Sequence, residues 1–569
     1  MTTSCLADTL EPKRANAPLF LGGVMQRTQV LIVGAGPTGL ALAAQLNRFG
    51  VTARVIDKHA GVLEATKSAA LHARTLEHLR TLGVADRVLA EGQRVDILQL
   101  RTGHRDRVAV DFRTLRDTAY PHMTDIPQAR TEHILIDHLA DAGIVVERNT
   151  ACTRVEQNAD AVTVTVTTPE GRTDTIEADW LIGCDGAHST VREQLGIAFA
   201  GEAYADDWVL CDAVVDWPLP RNEMTFSADA DGICGVFPLP GERRYRLAYT
   251  QNRAADGTLV EPSLADAQQA LRRTAVTGTV RSVDEFWTFR LAHKQAVRYR
   301  SGRVFLAGDA AHVHTPFGGQ GLNLGVGDAM NLGWKLASVV TGLSPRSLLD
   351  TYQPERHRIA RAVVTFTHRG ATAMLLRDDP RRHLRDAVMT LLQHTPLAQR
   401  GLARRFSQLG QSYRRTPHIP GRGSSLAAGD RLPDPLLFDG LTNRSVRLHD
   451  LLAPDACTLL LTTTADTDPL DASLAALCRR WHGALAGTVL TTRWGAAVRR
   501  GAADAVPAIL DRGRQAARLY GPGTMAYLVR PDQHLAYVGR PDAARIEECL
   551  GSIHTAPALP FSGATAEKA

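Results

Sequence analysis

The sequence predicts an α/β fold interrupted by an inserted antiparallel sheet, then a long helical region, then a smaller second α/β unit. Three observations carry this. From residue 26 to about residue 200, short apolar runs alternate with helical patterns, as in a parallel sheet covered by helices. From about 201 to 298, strand patterns follow one another with one helix between them. Beyond Thr416–Pro435, a stretch rich in Pro, Gly and Ser that reads as a linker, a new set of strand and helix patterns begins.

In chain order, Val30–Val33 is a buried strand, Leu40–Phe49 a helix and Ala53–Ile56 a second strand. Val162–Thr167 alternates Val and Thr, so it is a half-exposed strand, and Thr175–Ile182 is its neighbour in a β-meander. The inserted sheet takes Val209–Trp217, Met224–Phe226, Gly235–Leu239, Arg244–Thr250 and Glu285–Arg290, with a helix at Leu264–Arg273. Arg303–Leu306 returns to a buried strand, and helices occupy about Gly325–Ser407. The last unit has strands near Cys457–Thr463, Thr488–Thr492, Ala526–Val529 and Leu535–Val538. The domain boundaries that follow are 26–200 and 299–415 for the first unit, 201–298 for the insert, 416–435 for the linker and 436–569 for the last unit. Residues 1–25 read as a disordered leader, with Met25 an alternative start.

At 569 residues the chain can bury two or three cores. A net charge of +5 is mild, and the arginines are scattered, which excludes a nucleic-acid surface. No apolar run has the length of a membrane span. Eight cysteines show neither CxxC nor metal-ligand spacing; they read as small buried hydrophobes in a reducing cytoplasm, with no metal site.

Two segments carry the chemistry. In the first, Gly34, Gly36 and Gly39 fall in GxGxxG spacing between a strand and a helix. Gly34 permits the tight turn, Gly36 lets backbone approach a pyrophosphate, and Gly39 lets the helix pack on the strand. Pro37 and Thr38 lie in the same glycine turn, just before that helix, whose N-terminus faces the phosphates. Asp57, about twenty residues on and followed by Lys58, is placed to bond ribose hydroxyls, which argues against a phosphate there. The second segment, Gly302–Ala337, reads GRVFLAGDAAHVHTPFGGQGLNLGVGDAMNLGWKLA. Gly308 and Asp309 end a buried strand, which puts a carboxylate at the sheet's ligand-binding edge. One cofactor held at both ends by segments this far apart suits FAD.

Together GAGPTG, LHARTLEHLRTLGV, PQARTE, LIGCDGAHSTVRE and the Gly302–Ala337 segment resemble the single-component FAD-dependent aromatic hydroxylases, the para-hydroxybenzoate hydroxylase fold. The nearest resemblance is to the branch of phenol hydroxylase-like enzymes and hydroxylases of aromatic polyketides and rifampicin. It covers about Gln26 to Arg400. It implies a glutathione-reductase-like FAD-binding domain, a substrate-binding sheet, and a C-terminal thioredoxin-like domain whose final hairpin is AYLVRPDQHLAYVGR. Without CxxC that domain is expected to be redox-inert.

The resemblance implies roles residue by residue. Asp309 bonds the ribityl chain. Pro316, Gly318 and Gly319 lie along the flavin and peroxide face, where small residues let backbone approach a flat ring. Gly321 likewise lets backbone approach the ring, and Leu322 and Asn323 follow at its pyrimidine edge. Gln128 faces the flavin. Asp185 and Gly186 serve the FAD phosphates and the reduced nicotinamide. Arg74 belongs to the same set, and Lys67 stands where the family commonly has Arg, keeping charge but losing the bidentate fork. His312 and His314 belong to the usual loop and are read as structural, with His293 and Arg290 weaker still. Phe226, Phe237, Pro238 and Trp287 are candidates for the substrate wall, with core packing as the alternative.

The implied activity is an NAD(P)H-consuming, O2-dependent hydroxylation of a phenolic or polyketide-like aromatic through a flavin C4a-hydroperoxide. FAD is held non-covalently, NADPH or NADH is a transient donor, and the protein is a monomer or homodimer. Baeyer–Villiger oxidation on the same fold, and a non-catalytic flavin- or substrate-binding role, remain open alternatives.

Overall fold

The computed structural model describes residues 26–555 except 65–67, 103–105, 230, 252–259, 316, 375–386, 388–390, 415, 417–425, 440–442, 464–471, 482, 492–507, 511–514 and 521–523. The expected leader, with Met25, and two predicted site residues, Lys67 and Pro316, lie outside the described residues.

The fold is mixed α/β. The first sheet runs, edge to edge, through Arg300–Ser301, Val304–Leu306, Thr173–Gly183, Gln26–Val33, Ala53–Ile56 and Val146–Glu147. Gln26–Val33 is its parallel centre, with Val30–Val33 against Trp180–Gly183 on one side and Ala53–Ile56 on the other. Both faces are covered, which is why VLIV and WLIG are continuous apolar runs. Thr173–Gly183 changes character along its length. Its exposed start pairs antiparallel with the alternating Val162–Thr167, and its buried end enters the parallel sheet.

The second sheet has eight strands: His312–Val313, Thr279–Ala296, Phe199–Asp216, Arg244–Gln251, Gly232–Pro238, Glu223–Asp229, Ile97–Thr102 and Asp106–Asp111. It therefore draws residues 97–111 and 312–313 from outside the predicted insert. Its Glu223–Asp229 and Ile97–Thr102 strands pair in parallel, against the antiparallel expectation. Local alternation marks a strand but does not say which sheet it joins. The Leu264–Arg272 helix starts at a Ser263–Asp266 capping box and buries Ala267, Ala270 and Leu271 against Val209, Cys211 and Leu247 on one face of the sheet. The alternate residues, Leu210, Arg246 and Ala248, are thereby left on the opposite face, toward the first unit.

The long helical region resolves into Gly321–Val340, Tyr352–Met374 and Pro396–Phe406. The last unit has a seven-stranded sheet with the parallel pair Leu485–Thr491 and Cys457–Thr463 in its interior. The linker reading needs correction at its end: Arg431, Leu432 and Asp434 are buried. Arg431 donates from Nε to Glu77 Oε2 at 2.8 Å and from Nη1 to Asp117 Oδ2 at 3.2 Å. Composition marks Pro, Gly and Ser as loop-forming, but not a salt bridge made across more than 300 residues. The seven described cysteines are free, and burial pushes the Cys457 and Cys478 thiols up. Among the described residues no helix is long and apolar enough to cross a membrane.

Candidate cofactor and substrate site

The Gly34–Gly39 turn is built as its spacing requires. Gly34 has φ +108°, and a Cβ there would lie 2.3 Å from the Cys184 carbonyl oxygen. A Cβ on Gly39 would lie 2.0 Å from the Gly34 carbonyl oxygen, so the Pro37–Arg48 helix packs directly on the turn. Gly36 faces open space. Asp57 is fixed by backbone donors: Ala35 N–H reaches Oδ2 at 2.7 Å and His59 N–H reaches Oδ1 at 2.8 Å. A carboxylate has about four acceptor sites, so it keeps capacity for ligand hydroxyls.

Two cavities meet at this turn. The smaller, about 380 Å³, is lined by Gly34, Gly36, Asp57, Lys58, Gln128, Asp185, Gly186 and Asp309. The larger, about 590 Å³, is lined by Gly36, Pro37, Thr38, Gln128, Gly186, Asp309, Gly319, Gly321 and Leu322 on the first unit's side. Leu210, Phe237, Arg246, Ala248 and Phe289 line it on the sheet side. Asp309, exposed, lines both. Its turn is held from behind: Asp328 Oδ2 accepts from Gly308 N–H at 3.1 Å and bonds His312 Nε2 at 2.6 Å, while Oδ1 accepts from Arg356 Nε at 2.7 Å. His312 is thus a buried strut. His314, bonded through Nδ1 to the Thr315 carbonyl at 2.7 Å, lines the larger cavity.

The structure moves several predicted residues away from the cavities. Asn323 is buried, its Oδ1 accepting from His72 N–H at 2.8 Å and its Nδ2 donating to the carbonyls of Ala70 and Gly319 at 2.8 and 2.7 Å. It staples the loop rather than lining the site. Gly318 turns its carbonyl toward His72 Nε2 at 2.7 Å; burial lowers that imidazole to about 4, so it is neutral. Arg74 is buried away from both cavities, donating to Glu77, the Asp532 carbonyl and Gln533. It sits in the LHARTLE motif, but its charge is paired with Glu77 and its remaining donors reach the last unit. Gly308 is a packing contact, since a Cβ there would meet Thr38 Oγ1 at 2.5 Å. Of the wall candidates only Phe237 lines the larger cavity. Phe226 is core, edge-on to Phe317. Pro238 and Trp287 flank the wall outside the lining. Gly39 acts in packing alone. Sequence reasoning missed Arg192, Arg246 and Lys294, all lining the larger cavity. The alternation of RYRLAYTQ, with Arg246 and Ala248 on one face, was the available signal for Arg246.

Asp125 sits under the site on Met123–Asp125, paired to Ala70–Leu71. It is fully buried, and neither carboxylate oxygen has a hydrogen-bond partner among the described residues. Burial pushes its carboxyl up to about 8. The folded state therefore holds a proton that the unfolded chain, with a pKa of about 3.9, has released. Stability falls as pH rises through that window, by up to about 1.4 kcal/mol per pH unit. Asp125→Asn is expected to gain thermal stability over the parent at pH 8 but little at pH 5. Melting curves at the two pH values check this, and equal differences would refute it.

The residues present fit a dinucleotide: an open glycine cradle at a helix N-terminus, a backbone-held acid at one end, and an exposed carboxylate at the junction of two cavities. The second cavity is bounded by a glycine-bearing loop and a sheet face that mixes Leu210, Phe237 and Phe289 with Arg246, Arg290 and Lys294. This arrangement fits a flavoprotein. The chain belongs to the FAD binding domain family, whose model matches residues 27–367. It is 37% identical over 533 residues to the 12-dehydrotetracycline 5-monooxygenase/anhydrotetracycline 6-monooxygenase of Streptomyces rimosus, covering 91% of this chain and 96% of that protein. Its structure is similar to that of an anhydrotetracycline hydroxylase from Streptomyces rimosus, with a TM-score of 0.74 and 32% identity over 94% of this chain and 100% of that one. It is also similar to the flavin-dependent monooxygenase PieE in complex with FAD and substrate, with a TM-score of 0.72 and 25% identity over 93% and 98% of the two chains. The protein is an FAD-dependent monooxygenase that uses NAD(P)H and O2.

Proposed function

We propose that the protein hydroxylates a fused-ring aromatic of the polyketide type. The observation that carries this is the 590 Å³ cavity between the Gly319–Leu322 loop and the face of the second sheet that bears Leu210, Phe237 and Phe289. FAD, when bound, supplies the activation of oxygen. Gly36 and the helix N-terminus behind it would hold the pyrophosphate, Asp57 the adenosine ribose and Asp309 the ribityl chain. Asp185, whose carboxylate accepts from Ser189 Oγ at 2.5 Å and Val191 N–H at 3.1 Å, would order the Gly186 turn beside the phosphates. Gly319 and Leu322 would lie along the ring, and Leu210, Phe237 and Phe289 would exclude water and orient the substrate.

The order of the first sheet and its glycine turn supports a glutathione-reductase-like layout. The central parallel pair Cys457–Thr463 and Leu485–Thr491, with the antiparallel hairpin Met525–Gly539, supports a thioredoxin-like last unit. Its thiols, Cys457 buried and Cys478 and Cys549 partly so, are all pushed up by burial, which supports a packing role. The free cysteines accord with the cytoplasm, and the protein would act as a monomer or homodimer.

Purified protein should be yellow and release unmodified FAD on denaturation. A panel of fused-ring phenols should then be screened for stimulated NAD(P)H oxidation, with structures of the oxygenated products solved. A ring-hydroxylated product supports the proposal. A lactone would replace it with Baeyer–Villiger oxidation, and protein that takes up no FAD would refute it. Asp309→Ala is expected to weaken FAD binding on the order of tenfold to a hundredfold, the worth of hydrogen bonds to a charged acceptor. Fluorimetric titration of the apoprotein measures it, and unchanged affinity would remove Asp309 from the site.

A further inference from the structure

We propose that Arg246, held in place by Asp212, recognises the substrate by binding an ionised ring hydroxyl, a phenolate or enolate oxygen. This rests on the reading above that the larger cavity takes an aromatic substrate. Arg246 lines that cavity between apolar neighbours, yet only 2% of it is exposed. Asp212 stands directly across the strand pair, as Cα partner of Arg246. Their side chains form a two-bond fork, Nε to Oδ1 at 2.7 Å and Nη2 to Oδ2 at 3.0 Å. Nη1 donates to the Ser68 carbonyl at 3.0 Å, and the Trp287 ring centroid lies 5.7 Å from the guanidinium carbon.

These three bonds use three of the five N–H groups. The other two have no protein acceptor among the described residues, and the side chain borders the cavity. A buried ion pair is a poor way to gain stability, because desolvation offsets the attraction. Its orientation is what it offers: the fork fixes the guanidinium plane, so a ligand oxygen meets donors already in position.

On the sheet side the cavity lining has the matching sign, while Asp212 and the buried Asp125 carboxyl face the guanidinium from behind that lining. The second sheet contributes Arg246, Arg290 and Lys294 to the cavity lining and no carboxylate. The carboxylates in that lining, Glu193 and Asp309, come from the first unit. An aromatic ring against Phe237 and Phe289 with one anionic oxygen at Arg246 satisfies both the apolar wall and the spare donors. The hydroxyl proton passes to water as the ligand binds, and no covalent bond within the protein changes.

The test uses the oxidised holoenzyme with two probes, alizarin and its dimethyl ether, in a buffer where free alizarin stays protonated. Binding is read from flavin absorbance and the ionisation of bound alizarin from its own red shift. Wild-type protein should bind alizarin at least about tenfold more tightly than the ether and should hold it ionised. Arg246→Gln combined with Asp212→Asn removes the pair without leaving a buried charge. In that variant the preference and the red shift should vanish while affinity for the ether persists. Arg246→Lys, which keeps the charge without the fork, should fall between. Equal wild-type affinity for both probes, protonated bound alizarin, or an unchanged preference in the double variant overturns the anchor alone. Failure of both probes to bind the wild-type holoenzyme overturns the fused-ring reading and the anchor with it.

Discussion

Replacing Gly319 with valine is expected to uncouple the enzyme: NAD(P)H is still consumed, but hydroxylated product falls several-fold and hydrogen peroxide appears in its place. Two features produce this. Gly319 has φ +62°, a region that a β-branched residue enters only with strain. A Cβ there would also lie 2.8 Å from the Ala70 Cβ. The intrusion is therefore sideways into Ala70, rather than directly into the cavity. Both residues line that cavity, so relieving the clash displaces the loop wall beside the ring. The Gly34 turn and Asp57 lie at the other end of the trench and should retain FAD. The measurement is product formed per NAD(P)H consumed, with FAD occupancy checked in parallel. Gly319→Ala with Ala70→Gly removes the clash but keeps the strained φ, so it should recover only part of the coupling. Gly319→Val with full occupancy and wild-type coupling would place the loop away from the ring.

The second large effect concerns the joint between the last unit and the rest. Glu77 is buried and receives Arg74 Nη1 at 2.8 Å, Thr118 Oγ1 at 2.7 Å and the Arg431 guanidinium. Arg431, then Arg74, hold its carboxyl well below the ordinary range against the opposing effect of burial. Arg431→Leu leaves Glu77 and Asp117 with fewer counter-charges in a dry joint. Breaking a buried pair on one side costs about 3–5 kcal/mol. The stability Glu77 contributes is present above its unfolded pKa of about 4.3 and is lost as pH falls toward its depressed folded value. The variant's deficit should therefore be full at pH 7 and shrink on strong acidification. Denaturant unfolding at both pH values measures this. Arg431→Leu with Glu77→Gln should recover part of the loss, because no buried carboxylate remains at that position. A single variant as stable as the parent would show that the joint is not held by this pair.

Some features were legible without coordinates because they depend on residues close in sequence. The strand, glycine turn and helix of Gln29–Leu46 and the acid at Asp57 are short-range constraints of sterics and hydrogen bonding, and each forms as its spacing requires. The Gly308–Asp309 turn could be placed because a buried strand ends there. Tertiary structure decided what depends on partners distant in sequence. Arg74 and Asn323 sit in motifs that point to the cofactor, yet their side chains are committed to Gln533 and the Asp532 carbonyl, and to His72 and Ala70. Arg431 resembled linker until Glu77 stood beside it. Ile97–Thr102 and Asp106–Asp111 joined the second sheet, though both lie within the stretch predicted for the first unit. The sequence by itself determined the class of fold and a dinucleotide cofactor, because short motifs fix their own local geometry, while the kind of reaction followed from the family resemblance those motifs carry together. Which side chains face the ligand was decided only on folding, because a buried charge goes to whichever partner the packing brings within hydrogen-bond reach.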